Sequence, residues 1–77
     1  MYQYKIIVND QESKITDSVP TAWENNFDII LEKGLKATLY RRLVTDIGIL
    51  PMLTDTKGYI ILKDRVICPW QIIAENK

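Results

Sequence analysis

Nothing in this chain can staple a fold together. It has one cysteine, Cys68, and no histidine. Neither an internal disulfide nor a zinc site of Cys and His ligands can be built from one copy. Its 77 residues suffice for a single domain, 1–77, held by burial alone. A chain near 9.0 kDa exposes about 13,000 Å² unfolded and about 5,000 Å² folded. With roughly 60% of the difference apolar, burial stabilises by about 120 kcal/mol. Ordering the chain at ~1.5 kcal/mol per residue opposes this by about 115 kcal/mol. The two terms cancel, so self-association is a ready source of margin. A homodimer or higher oligomer stands level with a monomer. Ten basic and ten acidic residues give no net charge, which removes the self-repulsion that keeps copies apart.

The chain is 47% hydrophobic and 26% charged, the balance of a globular domain rather than a disordered tail. No stretch approaches the roughly 20 apolar residues that span a bilayer. Met1 to Asp10 alternates polar and apolar residues, unlike a secretory signal. A lone cysteine suits a reducing compartment, so a cytoplasmic setting is expected.

Tyr2, Tyr4, Ile6 and Val8 alternate with Gln3, Lys5 and Ile7, the period of a strand. Asn9-Asp10-Gln11-Glu12 is a polar break. Ser13 to Val19, with Ile15 as its main apolar side chain, is expected to return as the second strand of an N-terminal hairpin. Thr21 and Glu24 have the spacing of a capping box. Trp23, Phe27, Ile30 and Leu31 follow on one arc, and Gly34 suits the left-handed cap, which predicts a helix over 22–33.

Leu35 to Ile47 fits two patterns. Leu35, Leu39 and Leu43 share a helical face. On a strand, Leu35, Ala37, Leu39 and Leu43 share a side, with Arg41 the exception. Thirteen residues exceed an ordinary strand, so length favours a second helix stopped by Gly48 and Pro51. Tyr59-Ile60-Ile61-Leu62, apolar on both faces, suits a central strand. Val66-Ile67-Cys68 follows as another, ended or placed at an edge by Pro69. Gln71 to Glu75 forms a short last turn. The expected class is α+β: a small antiparallel sheet with an N-terminal hairpin, one or two central helices on one side and a C-terminal hairpin.

The missing histidine also removes the commonest general base and metal ligand. Gly34, Gly48 and Gly58 form no phosphate-binding loop. No catalytic, metal or cofactor residues are assigned, and an enzyme is the least expected class. Cys68, in the apolar setting Val66-Ile67-Cys68-Pro69-Trp70, reads as a small core residue rather than a reactive thiol. Glu24, Asp28 and Glu32 line one stripe of the first helix. A straight row does not converge on a cation, so the stripe is either a solvated face or a docking face for a basic partner. Lys36, Tyr40, Arg41 and Arg42 combine cations with an aromatic, as in phosphate contact and base stacking. On a helix they scatter; on a strand Lys36, Tyr40 and Arg42 share a face. Trp23 belongs to the helix core, whereas Trp70 either caps the core or anchors an interface.

The sequence thus favours a non-enzymatic protein-interaction module, a small oligomer or an accessory or inhibitory subunit, with Trp70 or Glu24, Asp28 and Glu32 at the contact. A nucleic-acid-binding regulator using Lys36, Tyr40, Arg41 and Arg42 is the alternative. Twelve isoleucines and seven lysines against three arginines suit an AT-rich genome, as in phages and mobile elements.

Overall fold

A computed structural model describes residues 1–18 and 34–76. The expected helix over 22–33 and the residues assigned to it lie outside these. Among the described residues the chain is 50% strand and 10% helix, with no helix of seven residues or more. The architecture is a curled antiparallel sheet, not the expected α+β arrangement of helices on one side of a sheet.

The first hairpin forms from alternation and a tight turn. Strand β1 (Tyr2–Val8) pairs with β2 (Gln11–Glu12), Val8 opposite Gln11. Asn9 and Asp10 carry the turn, both with positive φ, 51° and 71°. Such a pair matches the twist of the strands it joins, and Asn and Asp tolerate it best after glycine. The return therefore begins at Gln11, two residues before the expected Ser13. Beyond β2 the chain stays beside β1: the Ser13 N–H donates to the Ile6 carbonyl, and Tyr4 and Thr16 exchange two backbone bonds. Ile15 is exposed.

Residues 35–47 hold the largest correction. Ala37–Asp46 is β3, the ten-residue centre of the sheet, rather than a helix. Along one edge of this strand β1 takes Ala37 to Leu43, from Val8 opposite Ala37 to Tyr2 opposite Leu43. Its other edge is shared. Strand β6 (Gln71–Asn76) takes Ala37 to Arg41, and β5 (Arg65–Ile67) takes Val44 to Asp46. Two partners in succession explain how one strand exceeds ordinary length. The expected short turn over 71–75 is thus a strand, with a bulge where Ile73 is skipped between Tyr40–Ile72 and Leu39–Ala74.

Gly48 is not a helix stop. It lies in a 3₁₀ segment, Ile47–Met52, whose cap is the Asp46 carboxylate accepting from the Gly48 N–H at 2.7 Å. Among the described strands, β4 (Ile60–Ile61) pairs only with β5 and lies at the sheet's end. The expected central strand is therefore an edge, with Ile60, Ile61 and Leu62 exposed.

Period two sorts the sheet into two sides. On one, Ile6, Val8, Ala37 and Leu39 are buried together, with Tyr4, Leu35 and Ala74 packed against them. Arg41 and Leu43 continue this side. The other side carries Gln3, Lys5 and Ile7 from β1, and Thr38, Tyr40 and Arg42 from β3. No helix among the described residues is long and apolar enough to cross a membrane.

Candidate functional site

The second side of the sheet gathers cations and aromatics. The register sets Lys5 opposite Tyr40 and Gln3 opposite Arg42. Directly opposed residues of an antiparallel pair point the same way, so these four project together. Trp70, just ahead of β6, completes the group. The Lys5 Nζ lies 4.6 Å from the Trp70 ring centre and 5.4 Å from that of Tyr40. The Arg42 guanidinium lies 4.3 Å from the same indole. Trp70 thus receives two cations, an attraction worth about 0.5–1 kcal/mol each at partly exposed sites.

Polar contacts fix these cations in place. The Arg42 Nε donates to the Gln3 side-chain oxygen at 2.7 Å. Lys5 donates to Glu12 at 3.0 Å, and only 13% of its side chain is exposed. Tyr40, Arg42 and Trp70 remain half-buried, so each presents part of its surface to solvent. Ile72, opposite Tyr40 and 55% exposed, extends the patch with an apolar side chain.

Of the four residues assigned to a basic patch, the sheet brings two into this cluster, Tyr40 and Arg42. Lys36 lies on the same side but farther along, exposed, bordering a shallow hollow with Ile7, Asn9, Asp10 and Thr38. Arg41 faces the opposite side, over the Tyr2 ring at 4.5 Å. Trp70 is neither free nor buried: it is the hub of the cluster. Glu24, Asp28, Glu32 and Trp23 lie outside the described residues. Cys68 is half-buried, and its N–H donates to the Leu43 carbonyl at 2.8 Å.

Sequence reasoning missed Gln3, Lys5 and Ile72. The signal for the first two was the polar half of the β1 alternation, which becomes a site only once β1 pairs with β3. The signal for Ile72 was the alternation Trp70, Ile72, obscured by reading 71–75 as a turn. Against known proteins, the chain matches no family model, no curated protein and no solved structure.

Proposed function

We propose that this chain is a small non-enzymatic binding module that holds a protein partner against the open sheet side centred on Trp70. The observation that carries this reading is the gathering of Arg42 and Lys5 over Trp70 on the side of the sheet that also carries Tyr40 and, opposite it, the exposed Ile72. Trp, Tyr and Arg are the residues that most often dominate binding energy at protein interfaces. Here they are also pre-positioned by Gln3, Lys5 and Glu12, which lowers the entropy lost on docking. In such a role the chain is an accessory or inhibitory subunit of a larger protein.

Affinity capture from the source cells, followed by identification of a stoichiometric protein, provides the ligand. Tyr40→Ala and Arg42→Ala are then each expected to weaken its binding at least tenfold. Retention of full affinity by both variants refutes the reading.

A nucleic-acid ligand is the second reading, favoured by Lys5, Lys36 and Arg42 lying on one side with two aromatics. It is weaker because Glu12 already neutralises Lys5. With three phosphate contacts on a single strand, log affinity is expected to fall against log salt with a slope of about −2. Self-association, if it occurs, is expected at β4, where Ile60, Ile61 and Leu62 line an exposed edge.

A further inference from the structure

The Trp70 side of the sheet is graded in charge, and the register sets the grade. One row crosses Glu12, Ile7, Thr38 and Glu75. The next holds Lys5, Tyr40 and Ile72. The third holds Gln3 and Arg42, with Trp70 against Arg42. Successive rows lie two residues apart along each strand, about 7 Å. Carboxylates therefore flank the first row, and a guanidinium marks the third. The next acid past Arg42 on β3 is Asp46, and its carboxylate accepts from the Gly48 N–H.

The two cations of the cluster are held differently. Lys5 is matched by the charge of Glu12 at 3.0 Å. Arg42 is held by the uncharged Gln3 oxygen at its Nε and by the Trp70 ring. A guanidinium has a second edge, made by its two terminal nitrogens, and a carboxylate can grip that edge end-on. Arg42 is half-buried, so water still reaches part of it. A partner seated on Trp70 removes that water. A cation withdrawn from water is strongly unfavourable unless what covers it brings charge and acceptors. The requirement falls on the partner's chemistry at Arg42.

The rings narrow the choice of anion. Lys5 lies over both Trp70 and Tyr40, and Arg42 over Trp70. A nucleic-acid strand needs ring faces on which its bases stack, and here cations already lie over them. A protein carboxylate has no such need. We infer, on the docking role proposed above, that the partner meets this side with an acidic side chain at Arg42 and a large apolar one at Ile72, one row away or about 7 Å along the strand. The grade fixes the order. An acid set on the far side of Ile72 would face Glu12 and Glu75, and like charges repel it there.

The test uses the full chain and the protein captured with it. Arg42→Lys sets an amine in place of the guanidinium. A water-soluble carbodiimide joins that amine to a carboxylate in direct contact, and mass spectrometry of the digest locates the bond. A link is expected from position 42 to an Asp or Glu of the captured protein with a large apolar residue beside it. Exchanging that acid for its amide is expected to weaken binding of the parent chain about tenfold, and binding of Arg42→Ala by less than about twofold. Where Arg42→Lys does not fold, each Asp and Glu of the captured protein is exchanged for its amide and tested against the parent chain, and one is expected to show the same loss. A tenfold loss in Arg42→Ala with no link from position 42 and no acid whose exchange matters overturns the acidic contact and leaves the docking side standing. Full affinity in both Arg42→Ala and Tyr40→Ala, or capture of nucleic acid in place of a protein, overturns the docking role and the acidic contact with it.

Discussion

Ile6 and Ile60 are the same residue in strands of the same sheet, yet one is 0% and the other 48% exposed. Replacing each by valine removes one methylene and keeps the β-branched shape, so strand propensity is nearly unchanged. The difference between the two variants then reports burial alone. At Ile6 the lost group packs within the cluster of Val8, Ala37 and Leu39. Transfer and residual cavity together set the loss at about 1 kcal/mol, within the ~0.5–1.5 range for buried Ile→Val. Ile60 as a whole is 48% exposed, so less burial is lost there, and the loss is under about 0.5 kcal/mol. For a domain stable by about 4–11 kcal/mol both variants stay folded. Urea unfolding followed by circular dichroism resolves them: with m near ~1 kcal/mol/M, Ile6→Val lowers the midpoint by about 1 M and Ile60→Val by under about 0.5 M. Equal losses refute the assignment of Ile6 to the core and Ile60 to an open edge.

Gly58 has φ of +83°, and a Cβ there meets the Pro69 Cγ at 3.3 Å. Gly58→Ala is therefore expected to destabilise by about 1–2 kcal/mol in the same unfolding assay. Asp10, at φ 71° in the first turn, is strained for a residue with a side chain; Asp10→Gly is expected to stabilise by about 0.5–1 kcal/mol, seen as a raised urea midpoint. Glu12 is more than half exposed in its pair with Lys5, so Glu12→Gln is expected to change stability by no more than about 1 kcal/mol, and less at high salt. Ile61→Lys at the β4 edge is expected to remove any concentration-dependent association in sedimentation.

Local pattern carried the sequence reading through β1 and to a turn after it, but spread that turn over 9–12 where Gln11–Glu12 already pair as β2. Tyr2 to Val8 alternates, and Asn9-Asp10 supplies the positive φ that a two-residue loop requires. It failed at 35–47 because Leu35, Leu39 and Leu43 satisfy a helical and a strand spacing at once. Pairing decides between them, and the partners of β3 lie far away in the chain. Its first half meets β6 and its second half β5, a division of one edge that no local window contains. Tyr59 to Leu62 misled for a related reason. A run apolar on both faces suits a central strand, but the position depends on what lies beyond it, and beyond β4 no described strand pairs.

The site was legible by composition and not by membership. Tyr40 and Arg42 were recognisable as an aromatic beside a cation. That Arg41, between them in sequence, faces the other side follows from the pleat alone. That Lys5 joins Trp70 across 65 positions follows only from the pairing of β1, β3 and β6 in one sheet. The same pleat separates adjacent arginines: Arg42 lies over Trp70 on one side, and Arg41 over Tyr2 on the other.

Comparing Arg41→Ala with Arg42→Ala in binding of the captured protein tests the central claim most directly. Adjacent arginines on a helix or in a loop contribute without regard to parity, whereas on β3 they face opposite sides. The account predicts at least a tenfold loss for Arg42→Ala, about 1.4 kcal/mol, and an affinity within twofold of the parent for Arg41→Ala. Equal losses, or a loss confined to Arg41→Ala, would contradict the placement of the partner on the Trp70 side of the sheet.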